Sequence, residues 1–184
     1  MAGLGFYIDM KHCIGCKACE IACKDKNELP VGVRYRKVES FEGGSFPKPY
    51  IYHVSMSCNH CEKPLCVDNC PTGALYKRPD GIVAHDQEKC IGCEYCTWSC
   101  PYGAPQYIAE IGKTGKCDFC ADLIDLGMNP ACVDACVMRV IDYGDINELK
   151  KKYEGTDSLN VLPSPSITKP AVIINPHPMA KRGA

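Results

Sequence analysis

The sequence predicts an α+β fold in which small strands and short helices are organised by something other than side-chain packing. Three observations carry that prediction. Only 8% of the 184 residues are aromatic, with one Trp and four Phe, too few to anchor a large hydrophobic interior. Cysteine, in contrast, appears 16 times. And the chain repeats itself: DMKHCIGCKACEIAC (9–23) aligns without a gap on DQEKCIGCEYCTWSC (86–100), each with an Asp four residues before its first cysteine.

The near-balanced charge, formally -1, points away from a nucleic-acid partner. The opening MAGLGFYIDMKHC brings in Asp9, Lys11 and His12 too early for a signal peptide. Ala171–Ile174 is far too short to span a bilayer, which takes about 20 apolar residues. The expectation is a soluble chain with no export signal of its own and no direct membrane span.

The cysteines fall into four quartets with none left over: Cys13, Cys16, Cys19, Cys23; Cys58, Cys61, Cys66, Cys70; Cys90, Cys93, Cys96, Cys100; and Cys117, Cys120, Cys132, Cys136. A disulfide framework belongs to short secreted domains, and this chain shows no secretion signal. Structural zinc accounts well for the fourth quartet, C-x2-C-x11-C-x3-C, since paired C-x2-C units build tetrahedral sites. Zinc gives no reason for the other three quartets to leave only two to four residues between their second and third cysteines. Iron–sulfur chemistry does. One loop of C-x2-C-x2-C form grips three corners of a cubane, and in two-cluster ferredoxins the cysteine of the x3-C-P tail serves the other cluster. The longer last gap is expected to swing that thiol across a starting helix, with Pro71 and Pro101 in its first turn. Gly15 and Gly92 are expected to let backbone amides approach the sulfurs.

The repeat then reads as two ferredoxin-like units of two clusters each. Taken in order, residues 24–57 mix β-favouring Tyr35, Val38 and Tyr50–Val54 with a Gly-Gly-Ser-Phe-Pro turn, predicting a hairpin with an exposed loop near 42–49. Ala74–Arg78 and Ile82–His85 flank Pro79-Asp80-Gly81, a second hairpin. That compact link favours pairing quartet two with quartet three, so quartets one and four pair around the insert. Exchanging fourth cysteines within each pair gives four ligand sets: Cys13, Cys16, Cys19 with Cys136; Cys23 with Cys117, Cys120, Cys132; Cys58, Cys61, Cys66 with Cys100; and Cys70 with Cys90, Cys93, Cys96. The expected organisation is residues 1–57 and 106–154 as one unit, 58–105 as an inserted second, and 155–184 as an extended tail. Between 106 and 116 a short strand and turn are expected, then helical turns at Ala121–Leu126 and Val133–Cys136. A surface helix follows over Asp145–Tyr153, capped by Asp145. The Pro- and Ser-rich tail suits a polyproline-like path, with Ser164–Pro176 docked on a surface and the last residues frayed.

Individual side chains have plainer readings. His60 could replace a thiolate, but with every quartet complete it is expected to support a ligand or lie at the surface. Trp98 is expected to pack on a cluster or the core. Lys113 and Lys116 either raise a nearby cluster's potential or belong to a solvated loop.

The four ordered quartets, KCDFC, PACVDAC (130–136), MRVIDYGDINEL (138–149) and the tail SPSITKP together resemble the four-cluster ferredoxin-like subunits of molybdopterin-dependent oxidoreductases. The iron–sulfur (B) subunits of dimethyl sulfoxide reductase and polysulfide reductase are the nearest in look. The resemblance runs from Phe6 to about Pro176. It implies four [4Fe-4S] clusters in a rough line, with Cys93 standing where some relatives carry Trp and a three-iron cluster. It also implies a prokaryotic complex with a large molybdenum or tungsten bis-pterin catalytic subunit and often a quinol-oxidising membrane anchor. The chain would reach the membrane through partners, in the cytoplasm or co-exported with a signal-bearing catalytic subunit. Two departures from the family pattern are Val137, where proline is frequent after the last cysteine, and Leu123, where arginine is common. No acid, base or nucleophile constellation appears outside the cysteines, so the expected role is electron transfer without turnover. A wire for a formate dehydrogenase, hydrogenase-linked or tungsten complex is the near alternative; a free-standing ferredoxin and a structural zinc protein are more distant ones.

Overall fold

A strand unassigned from the sequence opens the chain and sits at the middle of its largest sheet. The computed structural model describes residues 3–182; strands and helices are numbered in chain order. β1 (Leu4–Asp9) pairs antiparallel with β8 (Ile141–Asp145), from Leu4 opposite Asp145 to Ile8 opposite Ile141. On its other edge it pairs parallel with β9 (Val172–Asn175), from Phe6 opposite Val172 to Asp9 opposite Asn175. Phe6, Tyr7 and Ile8 are all buried, because both faces of β1 are covered. A strand of that kind shows no alternation to read. Phe6 and Ile8 face the main core, where Phe6 stacks on Phe119 at 4.2 Å. Tyr7 faces the other way, against Leu149 and Ile173, and stacks on Tyr153 at 3.7 Å.

The tail departs from its expected polyproline-like path. Segment 164–176 docks as foreseen, but by ladder hydrogen bonds: β1 offers an open edge, and Val172, Ile173 and Ile174 are β-branched and buried there. Nor is the end frayed through Arg182. Leu159 and Ala180 are fully buried, and Pro178–Ala180 form a 3₁₀ turn. Gly183 and Ala184 lie outside the described residues.

Three hairpins hang from this frame. β2 (Lys37–Gly43) and β3 (Tyr50–Met56) pair antiparallel around an exposed 44–49 loop. β4 (Leu75–Lys77) and β5 (Val83–His85) close through Gly81 at φ 88°, whose N–H donates to the Arg78 carbonyl at 3.0 Å. β6 (Gln106–Ile108) and β7 (Lys113–Gly115) form the third. The helices are short: α1 (Ala18–Lys26), α2 (Leu65–Asp68), α3 (Tyr95–Ser99), α4 (Ala121–Asp125), α5 (Ala131–Asp134) and α6 (Ile146–Lys152). α1 packs on α5, and α2 packs on α3. Among the described residues no helix is long and apolar enough to cross a membrane. The fold is α+β and ferredoxin-like.

α6 begins where Asp145 predicts. Its carboxylate accepts the Asn147 N–H at 2.8 Å and the Glu148 N–H at 3.3 Å, satisfying two otherwise unpaired donors. Asp145→Ala should therefore cost about 1 kcal/mol of stability, in a usual range of roughly 0.5–2 kcal/mol. Urea unfolding of the metal-loaded protein reads the loss, and an unchanged midpoint would mean the cap is redundant.

Candidate metal centres

All four quartets open with one backbone bend. The residue just before the second cysteine has positive φ in each: Gly15 at 67°, His60 at 43°, Gly92 at 70° and Phe119 at 67°. Glycine adopts this region freely, whereas His and Phe rarely do. Only two of the four bends were therefore visible as sequence signals. The bend folds the C-x2-C segment back so that a backbone N–H reaches the first sulfur, as Gly15 does for Cys13 and Gly92 for Cys90. No side chain fits at Gly92, where a Cβ would lie 2.2 Å from the Gly112 carbonyl oxygen.

The approach to the loops is also fixed locally. Asp9 accepts the Lys11 N–H and Asp86 the Glu88 N–H, each at 3.0 Å, which gives the repeated Asp a physical role. Asp118 makes the corresponding bond to the Cys120 N–H at 2.8 Å. After the second cysteine, Lys17 and Glu94 take φ 61° and turn the backbone into α1 and α3, which carry Cys19 and Cys96.

Pro71 and Pro101 behave otherwise than expected. They open tight turns, not helices: α2 and α3 end before them, and Gly73 and Gly103 donate back to the carbonyls of Cys70 and Cys100 at 3.3 and 3.1 Å. Proline suits such a turn because its φ is already set and it needs no acceptor. The turns aim N–H groups of Thr72, Ala74 and Leu75 at Cys70, and of Tyr102, Gly103 and Ala104 at Cys100. Cys136 is followed by the same turn despite Val137: Arg139 donates to its carbonyl at 3.0 Å and the Val140 N–H to its sulfur at 3.3 Å.

The thiols gather across quartet boundaries. Cys13, Cys16, Cys19 and Cys136 line one narrow cavity; Cys58, Cys61, Cys66 and Cys100 line another. Cys23 lies within electrostatic reach of Cys120 and Cys132, and Cys117 of Cys23 and Cys132. Cys90 neighbours Cys70, and Cys96 neighbours Cys90 and Cys93. The Thr114 hydroxyl sits 3.5 Å from the sulfurs of both Cys90 and Cys96. Neighbouring groups also lie close: Cys19 is within electrostatic reach of Cys132 and Cys117 of Cys58, and Cys66 shares an apolar cluster with Cys70 and Cys96.

Burial pushes the Cys23 and Cys66 thiols up to about 12, Cys61 and Cys120 to about 11, and Cys117 well above its ordinary value. At Cys70 burial also raises the pKa, but the Leu75, Thr72 and Ala74 N–H groups and the Thr72 hydroxyl outweigh it. The raised thiols, Cys23, Cys61, Cys66, Cys117 and Cys120, stay protonated at neutral pH without metal, and bound iron would displace those protons.

The other singled-out residues divide between their sequence readings and departures from them. His60 is in the core, not at the surface; its Nδ1 accepts the Val83 N–H at 3.0 Å and its edge meets Phe119. Burial, with Lys116, Lys77 and Arg36 nearby, holds its pKa well below the usual value, so the ring is neutral. Trp98 does not pack on the core: it is 78% exposed, because α3 turns that face outward together with Tyr95. Lys116 is buried, donating to the carbonyls of Val83 and, at 2.9 Å, Cys117, while Lys113 bonds the Gln87 carbonyl at 2.6 Å at the surface. Arg36 went unread altogether. It is 1% exposed, and an arginine between Arg34 and Lys37 in a β-rich segment carries no sequence signal of burial.

The donor set fits iron–sulfur clusters. Among the described residues, the buried side-chain polar atoms without a partner are Arg36 Nε, Asn59 Nδ2 and His60 Nε2. All three are donors lacking an acceptor, since His60 Nδ1 already accepts. All lie beside the quartets: Asn59 and His60 stand between Cys58 and Cys61, and Asn59 lines that cavity. A bound cluster would offer sulfur acceptors to such donors. Among the described residues no three His, Cys, Asp or Glu side chains converge tightly enough for a single ion. A zinc ion wants every sulfur within about 2.3 Å; a cubane spreads its thiolates over separate corners.

Comparison with known proteins agrees with this chemistry. A family described as a 4Fe-4S dicluster domain matches residues 49–146, and a second family of the same description matches residues 12–74. The sequence is 44% identical to the B chain of the anaerobic dimethyl sulfoxide reductase of Escherichia coli K12, over 94% of its own length and 88% of that relative's. It is 42% identical to the protein of the same name from Haemophilus influenzae, over 98% and 93%. The B subunit of the sulfite dehydrogenase of Allochromatium vinosum is 40% identical, over 80% of the present sequence and 71% of its own.

Proposed function

Because this protein belongs to the 4Fe-4S dicluster family of dimethyl sulfoxide reductase-type B chains, we propose that it relays electrons through four [4Fe-4S] clusters to or from a molybdopterin-bearing catalytic subunit. It is an iron–sulfur electron-transfer subunit and not the seat of substrate chemistry. The ligand sets are Cys13, Cys16, Cys19, Cys136; Cys23, Cys117, Cys120, Cys132; Cys58, Cys61, Cys66, Cys100; and Cys70, Cys90, Cys93, Cys96. The observation that carries this reading is the crossover: Cys136 and Cys100 line the cavities of cysteines from other quartets. Residues 1–57 with 106–154, and residues 58–105, then act as two nested units, with the tail from 155 paired to β1 of the first and bonded to Asn59, Glu62 and Lys63 of the second.

Bound clusters supply one-electron carriers with potentials between roughly -700 and +450 mV. The protein's own part is to hold the thiolates, exclude water from the inner two sets and aim N–H groups at the sulfurs. The contacts between neighbouring groups support the linear order one, two, three, four. The exposed Cys16 and Cys93 support its two ends as the points of entry and exit. A separate membrane anchor would bring quinol electrons to one end; the substrate belongs to the catalytic partner, since relatives of this protein serve dimethyl sulfoxide and sulfite enzymes alike.

Anaerobic purification with native partners tests this. A brown complex with about sixteen iron and sixteen acid-labile sulfide per chain is expected, on four cubanes, together with a large molybdenum or tungsten pterin subunit. Colourless zinc protein, or a stable iron-loaded monomer that never co-purifies with a large subunit, would overturn it.

A further inference from the structure

Arg36 is a buried cation with no carboxylate. Its Nη1 donates to Ser55 Oγ at 3.1 Å and the Ser55 carbonyl at 3.4 Å, and its Nη2 to Ser57 Oγ at 3.0 Å. The guanidinium centre lies 4.9 Å from the centre of the Phe6 ring. The buried carboxylate of Glu20 on α1 is taken by Arg34 at 3.0 Å and by the Val38 N–H at 2.8 Å. Isolating a charge in the interior is expensive unless another charge compensates it. The groups that can become anionic within its reach are Cys132, Cys19, Cys117 and Cys23. Those four come from the first and fourth quartets and fall in two ligand sets. Ser55, which holds Nη1, also touches Cys19 Sγ at 3.4 Å, and the Arg36 backbone N–H points at Cys23. Nε remains a buried donor without an acceptor.

We propose that Arg36 is the shared counter-cation of the first two clusters, raising the potential of both above that of the same clusters beside a neutral side chain. The proposal rests on the ligand sets given above. Each cluster reduction takes one electron from the donor partner and adds one negative charge to a site already holding four thiolates. A fixed positive charge in a low-dielectric interior favours that more negative state, and the Nε–H adds a charge-assisted hydrogen bond toward the sulfur. Among the described residues, no arginine is so placed at the ligand sets of clusters three and four. Lys116, the buried cation nearest them, spends two of its donors on carbonyls.

The test is EPR-monitored redox titration of the complete complex carrying Arg36→Met or Arg36→Lys. With Met, two of four clusters should show a reduced-to-oxidised ratio at least tenfold lower at fixed potential, about 59 mV for a one-electron couple. The other two should not move, and Lys should restore most of the shift. Full iron with no shift in the Met variant, or an equal shift of all four clusters, overturns the proposal. If Met prevents loading, Lys decides: two wild-type potentials support the charge, while lowered potentials or failed loading make Arg36 a packing residue. A wild-type complex with fewer than four clusters instead overturns the four-cluster reading, whatever Arg36 does.

Discussion

Removing iron from the protein, by chelation under reducing conditions, should abolish most of its tertiary structure. The elements are too short to stand without the metal. α2 and α5 have four residues each and α3 and α4 five, well under the roughly 12–15 residues at which an isolated helix becomes even marginal. β4, β5, β6 and β7 have three residues each. Nine of the sixteen cysteines are buried, so the space that leucines fill in other cores is here filled by ligands. The apolar cluster of the inserted unit is Leu75 and Val83 with Cys66 and Cys96. Without a cluster that is no core. Total stabilities of native domains are only about 5–15 kcal/mol, and cluster ligation is expected to exceed that share for residues 58–105. Near-UV circular dichroism should collapse and proteolysis should begin in that segment. Residual amide protection should concentrate in the β8–β1–β9 sheet, which has Phe6, Ile8, Phe119, Leu159 and Ile174 packed around it. A metal-free protein with a native near-UV spectrum and a sharp melting transition would contradict this.

The second large effect is one of address. Cys100→Ala removes a thiol from the stretch Cys90–Cys100, yet the damage should appear at the cluster of Cys58, Cys61 and Cys66. The EPR spectrum of the reduced variant should match that of Cys61→Ala, with one signal lost or converted, and should differ from that of Cys93→Ala. The structural reason is the turn after α3, which points the Cys100 sulfur into the cavity lined by Cys58, Cys61 and Cys66. Three backbone N–H groups hold it there. A spectrum matching Cys93→Ala would mean that each quartet closes on itself.

Much of this was legible because short-range spacing encodes it. The C-x2-C pairs, the turn at Pro79-Asp80-Gly81 and the Asp145 cap depend on residues two or three apart, and the turn and the cap stand where the spacing puts them. β1 and β9 were not legible in the same way. Their pairing joins Phe6 to Val172 across nearly the whole sequence, and a strand covered on both faces presents an apolar run without period. His60 and Phe119 concealed two of the four loop bends, because the position normally marks itself with glycine. Trp98 misled for a complementary reason. Its place between two ligands suggested burial, but a one-turn helix buries only the face that carries Cys96. Arg36 had no signal at all, since its significance comes from four thiols that only the fold assembles around it.

Whether four cubanes share the sixteen thiols by exchange can be seen by iron-edge anomalous scattering from crystals of the native complex. Four compact iron peaks in a row are expected, with Cys136 bonded to the peak of Cys13, Cys16 and Cys19 and Cys100 to that of Cys58, Cys61 and Cys66. Fewer peaks, single-ion peaks between C-x2-C pairs, or a peak held by Cys90, Cys93, Cys96 and Cys100 together would contradict that sharing.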